Sequence, residues 1–223
     1  MNSCDDKILD FCRLCGVAVP DSFLVRMEEL RSLLVDANEK TNLTRITSPD
    51  EFLNKHVADS VSLALAIPAV ATEPLAVADL GCGAGFPSIP LALAFPRLRV
   101  TAIDSNHKKM DFVAHVALRM KIANLTVLRG RGRELARKEE LKGVFDLVVS
   151  RAVGPPAEVF IEGRQMLVPT GRFVVFRSGE DNSAELAEAE KVSARYDLKW
   201  QATSVFQLPL GGGRRFVVGG SRL

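Results

Sequence analysis

The run Asp79-Leu80-Gly81-Cys82-Gly83-Ala84-Gly85-Phe86-Pro87 constrains this chain more than any other segment. It follows the apolar stretch Leu75–Leu80, which reads as a buried strand, and precedes Pro87–Ala94, which reads as a helix. Glycines between a strand and a helix let the backbone turn tightly and approach a ligand with no Cβ in the way. In an open α/β sheet that turn lies at the carboxyl edge of the strands, where ligands bind. A dinucleotide loop wants glycine at position 86, and this chain has Phe86. No Gly-x-x-x-x-Gly-Lys-Ser/Thr loop for a nucleoside triphosphate is present either.

The pattern on either side of the loop differs. Residues 5–67 carry helical periodicity. Ile8, Leu9, Phe11, Cys12 and Cys15 share one face, and Leu24, Met27, Leu30, Leu33 and Leu34 share another. Asp21 or Ser22 is placed to cap the second of these helices, and Ser48-Pro49 to open a third that continues through Phe52, Val57 and Val61. Beyond residue 75 strands and helices alternate. Strands are expected at 99–103, 125–128, 145–149 and 172–176, with helices at 108–121, 156–167 and 184–194. A closing pair of strands is expected at 198–206 and 215–218. Such alternation implies βαβ units and a mainly parallel sheet, with the last two strands as an antiparallel hairpin at its edge. The expected division is a helical extension over residues 1–74 and an α/β domain over 75–223.

Composition narrows the class. The chain has 223 residues, 47% hydrophobic and 25% charged, which excludes disordered, collagen-like and coiled-coil classes. Four cysteines are too few for a disulfide scaffold at this length. No apolar run, Val61–Val70 included, approaches the ~20 residues of a membrane span, and the acidic N-terminus has no apolar signal core. A cytoplasmic protein is expected. The net charge is only +2, yet residues 1–75 hold 12 acids and 7 bases whereas residues 76–223 hold 15 acids and 22 bases. That asymmetry fits a polyanion-binding surface on the second part, or simply a solvated surface of mixed sign.

The spacing Gly81, Gly83, Gly85 resembles motif I of the class I S-adenosylmethionine-dependent methyltransferases. Asp104 ends the second strand 23 residues after Gly81, where a carboxylate can accept hydrogen bonds from ribose hydroxyls. Taken singly, Asp79 also reads as a helix cap, and Asp104 as a strand-end turn residue with Ser105-Asn106. Other signals are weaker. Cys12-Arg13-Leu14-Cys15 is a lone Cys-x-x-Cys with no partner ligands, so buried helical cysteines are expected and no metal site. Cys82 has no base beside it, which argues against a thiol nucleophile. His107 and His115 read as surface or structural residues. Arg129, Arg131, Arg133, Arg137 and Lys138, with Lys108, Lys109, Arg214, Arg215 and Arg222, could coat one face for phosphate contact, or form a solvated loop and helix. Gly154-Pro155-Pro156-Ala157 lacks the amide and aromatic of exocyclic-amine methyltransferases, and no Pro-Cys pair offers the thiolate of cytosine C5 chemistry.

Several pieces together resemble one family. They are Asn38-Glu39-Lys40-Thr41-Asn42-Leu43-Thr44, His56-Val57-Ala58-Asp59-Ser60, the glycine loop with Phe86-Pro87, Asp104-Ser105 and Ser150-Arg151-Ala152. The combination is similar to the 16S ribosomal RNA guanine-N7 methyltransferases, also called the small-subunit methyltransferase G or glucose-inhibited division protein B family. The resemblance spans about residues 38–218. It implies an α/β class I (Rossmann-like) methyltransferase fold with a mainly parallel seven-stranded sheet, an antiparallel C-terminal edge and an N-terminal helical extension. It implies S-adenosylmethionine as cofactor, held by Asp79, Gly81, Cys82, Gly83, Gly85, Phe86, Asp104, Ser105, Gly132, Arg133, Glu134 and Arg151. Within that set Gly81, Gly83 and Phe86 are assigned to the methionine side, Asp104 to the ribose, and residues 130–134 to the adenine. Arg151 and His56 are the expected catalytic pair. Arg151 would hold a phosphate or the guanine O6 edge, or else form a structural ion pair with a strand-end carboxylate; His56 would orient cofactor or substrate, or else cap the 38–44 segment.

Three departures from the family are visible. Ser88 stands where glycine usually follows the loop proline, and Arg177-Ser178-Gly179 where Lys-Gly usually follows the fifth strand. Arg131-Gly132-Arg133 stands where Arg-Ala-Glu often follows the third strand, which removes an acid at 133; Glu134 is the next one. The implied substrate is guanine 527 of 16S rRNA, free or in the 30S subunit. Guanine N7 has a lone pair and no proton, so positioning alone can serve, and no Ser/His/Asp or paired-carboxylate set is needed. A methyltransferase of this fold acting on protein or a small molecule, and a non-enzymatic RNA-binding assembly factor, stay open at this point.

Overall fold

The computed structural model describes residues 3–20, 22–151, 153–179 and 181–220. Asp21, Ala152 and Arg222 lie outside them. Two long helices, α1 (Ser3–Leu14) and α2 (Ser22–Thr41), open the chain, followed by short pieces: α3 (Pro49–Phe52), α4 (Asp59–Val61), α5 (Leu63–Ala66) and α6 (Ala69–Thr72). Ser48 takes the extended backbone of an N-cap, with Pro49 in the first turn, as its sequence predicts. The periodicity through Phe52 and Val61 predicts a continuous α-helix. Instead Leu53–Ala58 forms a π-helical turn between α3 and α4. Such a turn re-aims the side chains on it, here Asn54 and His56, both buried.

Strands and helices then alternate: β1 (Ala76–Leu80), α7 (Ser88–Ala94), β2 (Arg99–Asp104), α8 (His107–Arg119), β3 (Leu125–Arg129), α9 (Gly132–Leu135), β4 (Phe145–Arg151), α10 (Pro156–Gly163), β5 (Leu167–Ser178), α11 (Ser183–Ser193), β6 (Lys199–Ala202), β7 (Phe206–Gln207) and β8 (Gly213–Gly220). The sheet order is β3-β2-β1-β4-β5-β8-β6, with the two-residue β7 pairing beside β8. β1 to β5 run parallel, and β8 runs antiparallel to both β5 and β6. Residues on alternate sides of the central strands feed two cores. Val77, Leu147, Val149, Val174 and Phe176 join the N-terminal helices, α7 and α8. Ala76, Ala78, Val148, Phe173 and Val175 join α10, α11 and Trp200. Burial on both faces is why Ala76–Ala78 of β1 and Leu147–Val149 of β4 read as continuous apolar runs.

One expectation is corrected. The helix expected over 156–167 stops at Gly163, and β5 starts at Leu167 and is twelve residues long. The last strands form an antiparallel pair at the sheet edge, with β6 outermost and β8 between it and β5. Burial sets that rank, since Phe216 and Val218 pack into one core and Val217 into the other. A strand apolar on both faces belongs in the interior. The chain leaves β1 toward β2 and β3 and returns to β4 on the other side, so the crevice opens between the carboxyl ends of β1 and β4.

Candidate active site

A cavity of about 590 Å³ fills that crevice. Four strand ends build its walls. Gly81, Cys82, Gly83 and Phe86 follow β1, Asp104 and Ser105 close β2, Gly130, Arg131 and Gly132 follow β3, and Ser150 and Arg151 end β4. Thr44 and His56 enter from the N-terminal helices, and Glu158 and Glu162 from α10.

The loop is held from beneath and beside. The Gly81 and Cys82 amides donate to the Ile103 carbonyl at 2.7 and 3.0 Å. Gly81 and Gly83 have φ of 71° and 58°, a left-handed backbone that glycine adopts without strain. A Cβ on Gly81 would strike Val153 at 2.1 Å, whereas one on Gly83 would meet only the Lys109 ammonium at 4.0 Å. Asp104 accepts the Gly83 amide on Oδ2 at 3.0 Å and the Asn106 amide on Oδ1 at 2.8 Å. It therefore fills the turn role as well, and a carboxylate has lone pairs left for ribose hydroxyls.

Asp79 is fully buried and does not line the cavity. Its Oδ2 accepts the Ser88 amide at 3.1 Å and the Ser88 hydroxyl at 2.5 Å, which is the helix-capping role. Burial raises its carboxyl to about 7, against the Ser88 hydrogen bonds and Arg151. The space for a Cβ on Gly85 is taken by Ile89 at 2.3 Å, so this glycine packs loop on helix and stays off the cavity wall. Arg133 and Glu134 also lie off the wall, because the backbone turns into α9 at Gly132. Cys82 does line the cavity, and its thiol rests on Met110 Sδ at 3.7 Å. Burial, then Asp79 and Asp104, raise that thiol well above its usual range, so it is no nucleophile.

Arg151 is the hub of a polar cluster. Its Nη1 donates to the Lys55 carbonyl at 2.7 Å and to Asp59 Oδ2 at 2.9 Å. Its Nη2 meets His56 Nδ1 at 3.0 Å. A guanidinium only donates, so Nδ1 is the acceptor and the ring proton sits on Nε2, which faces Thr44 Oγ1 at 3.4 Å. His56 stacks on Phe86 with centroids 4.0 Å apart, and the Arg151 guanidinium lies over the same Phe86 ring at 5.8 Å. Burial, then the charges of Arg151 and Lys55, push His56 down to about 3, so the imidazole is neutral. Asp59, 4% exposed, also accepts from Arg214 Nε on Oδ1 at 3.0 Å. Asn54 grips the turn before Arg214, donating to the Gly211 carbonyl at 3.0 Å and accepting the Leu210 amide at 3.1 Å. The ion pair weighed for Arg151 thus exists, but with a helical carboxylate and not a strand-end one. His56 does tie down the 38–44 segment through Thr44, whose amide donates to Asn38 Oδ1 at 2.9 Å.

Sequence reasoning missed Glu158, Glu162, Asn54 and the pairing of Arg214 with Asp59. Glu158 directly follows Gly154-Pro155-Pro156-Ala157 and Asn54 stands two residues before His56, yet only tertiary folding brings these side chains into the site. Of the basic residues, Lys109 and Arg131 line the cavity, while Lys108, Arg129, Arg133, Arg137 and Lys138 are exposed. Among the described residues none of these seven side chains forms an ion pair. Arg177 instead binds Glu185 at 2.7 Å and the Gly154 carbonyl, which fixes the loop after β4. His107 pairs with Asp111, His115 is exposed, and Cys12 and Cys15 are buried free thiols raised by burial to about 12. No group of three metal-ligating side chains occurs among the described residues, and no helix of theirs is long and apolar enough to cross a membrane.

The cavity residues fit S-adenosylmethionine. An open glycine stands at Gly83, a carboxylate at Asp104, and apolar walls at Leu80, Ile103 and Val159. Comparison with known proteins agrees. The family profile described as rRNA small subunit methyltransferase G matches residues 24–209. The Ribosomal RNA small subunit methyltransferase G of Brevibacillus brevis is 36% identical over 203 residues, 91% of this chain and 84% of that protein. The protein of the same name from Lactococcus lactis subsp. cremoris is 31% identical over 213 residues, 96% of this chain and 89% of that protein. In fold, the chain is similar to M. jannaschii TYW2 in complex with AdoMet, with a TM-score of 0.54 at 17% identity over 72% of this chain and 74% of that one. It is also similar to a SAM dependent methyltransferase from Aquifex aeolicus, with a TM-score of 0.50 at 14% identity over 69% and 87%. The chain is a class I methyltransferase fold and belongs to the rRNA small subunit methyltransferase G family.

Proposed function

We propose that this enzyme methylates N7 of a guanine in 16S rRNA, guanine 527 by family resemblance, with the 30S subunit or its RNA as substrate in the cytoplasm. When bound, S-adenosylmethionine supplies an activated methyl group on a sulfonium sulfur. Gly81, Gly83 and Phe86 hold its methionine end, Asp104 its ribose, and residues 130–132 border its adenine. The observation that carries the acceptor assignment is the state of His56. Its Nδ1 already accepts from Arg151 and its ring is neutral. Cys82 stays a thiol. The cavity thus offers neither a free imidazole base nor a thiolate, which suits an acceptor that has a lone pair and no proton to lose. Arg151 supplies a fixed positive group at the wall, able to hold a phosphate or the O6 edge of a base presented out of its stack. His56 and Asp59 are positioning residues that hold Arg151.

The test is methylation of 30S subunits and of free 16S rRNA, read by N7-specific strand cleavage. Cleavage at one guanine is expected with the wild-type enzyme, and at least a tenfold lower yield with Arg151→Ala. Incorporation elsewhere than N7, or none into RNA, would remove this reading.

A further inference from the structure

The segment that follows β3 begins Gly130-Arg131-Gly132-Arg133 and holds no acid in these four residues. The structure shows a carboxylate at that spot from another element. Glu162 of α10 lines the cavity, and its Oε2 accepts the backbone N–H of Arg133 at 2.8 Å. Its Oε1 has no hydrogen-bond partner among the described residues. Gly132 makes room for this approach. A Cβ on Gly132 would stand 3.2 Å from Glu162 Cβ, 3.2 Å from the Glu162 carbonyl oxygen and 3.1 Å from Leu80 Cδ2. Gly132, the Arg133 amide and Glu162 therefore form one arrangement.

We infer that Glu162 recognises the adenine of the cofactor by accepting a hydrogen bond from its exocyclic amine. This rests on the reading of the cavity as the S-adenosylmethionine site. A carboxylate offers only acceptors. Adenine presents N–H donors at position 6, whereas hypoxanthine presents a carbonyl oxygen there, and two acceptors face to face repel. Glu158, one turn earlier on α10, also lines the cavity, but its Oε2 fills the space beside Gly154 on the β4 side, 2.3 Å from where a Gly154 Cβ would stand. Glu162 is thus the carboxylate beside residues 130–132, and it sets purine specificity.

Calorimetry with S-adenosylhomocysteine and its inosine counterpart tests this without turnover. The wild-type protein should prefer the adenosyl ligand by about tenfold or more, as replacing a charged hydrogen bond by an acceptor clash requires. Glu162→Ala should bring the two affinities to within about twofold, with the circular dichroism spectrum intact. Glu162→Gln, which keeps an acceptor and adds a donor, should narrow the preference several-fold. It carries the test if the alanine variant does not fold. Glu158→Gln should leave the preference in place. An unchanged preference in both Glu162 variants, equal weakening of both ligands, or loss of preference in Glu158→Gln instead would overturn the role of Glu162 alone. A wild-type protein that binds neither ligand would overturn the cavity reading, and this inference with it.

Discussion

His56 stacks on Phe86 and Asp79 bonds to Ser88, two residues further on, and burial has shifted both away from their usual ionisation, in opposite directions for stability. An unfolded chain takes up a proton on His56 near pH 6.5, whereas the native one waits until about 3, so this group makes stability rise with pH across that interval. Native Asp79 keeps its proton to about 7, whereas the unfolded chain loses it near 3.8, so this group makes stability fall as pH rises between those values. Over the shared interval the slopes oppose, each at most about 1.4 kcal/mol per pH unit. Urea unfolding between about pH 4 and 6.5 should therefore fall more steeply with rising pH in His56→Gln, and rise more steeply in Asp79→Asn, than in the wild type. Identical slopes in all three proteins would show that neither group is shifted. The glycines, Asp104 and Arg151 are legible in the sequence because each sits at the end of an apolar run, where a turn or a ligand is the natural reading. That Asp79 points down to Ser88 is not legible, because a strand's last acid can face either way. Glu162 and Arg214 are not legible either, since nothing local distinguishes them from solvated charges.

At the scale of elements, the parallel half of the sheet is readable from its strand–helix alternation, and the antiparallel pair at its edge from the short Gly-rich connection, but the order of that pair is not. Period tells which residues share a face but not which strand lies alongside, so the rank of β8 between β5 and β6 needs the fold. That rank has a packing consequence. Gly219 on β8 pairs with Trp200 on β6, and a Cβ on Gly219 would meet the indole at 2.6 Å. Trp200 cannot swing aside freely, because its Nε1 donates to Ser193 Oγ at 2.9 Å and its ring stacks on Phe173. Gly219→Ala should cost about 1–3 kcal/mol by overpacking. The chain has one tryptophan, so its fluorescence in urea reports the loss directly. An unshifted midpoint would mean that the edge strand yields without cost. The π-helical turn at Leu53–Ala58 escaped the periodicity for a related reason, since one inserted residue shifts the apolar face without abolishing it.

For the whole molecule, charge and order of synthesis matter most. Of the 22 bases in residues 76–223, Lys108, Lys109, Arg129, Arg131, Arg133, Arg137 and Lys138 lie at or after the ends of β2 and β3, and Lys109 and Arg131 line the cavity. Replacing Arg129 and Arg133 by alanine should flatten the dependence of log K on log salt for 16S rRNA binding, by about 0.7–0.9 for every phosphate left without its cation, measured by filter retention. An unchanged slope would move the RNA to another face. Asp59 joins residues 151 and 214 through its two oxygens, and β6 has β8 as its partner in the sheet. A nascent chain that stopped short of β8 would therefore expose an unpaired strand edge and leave one Asp59 oxygen without its arginine. Copies truncated before β8 would betray themselves to proteases and would carry an unfinished polar cluster around Asp59, so competence waits until β8 has been translated.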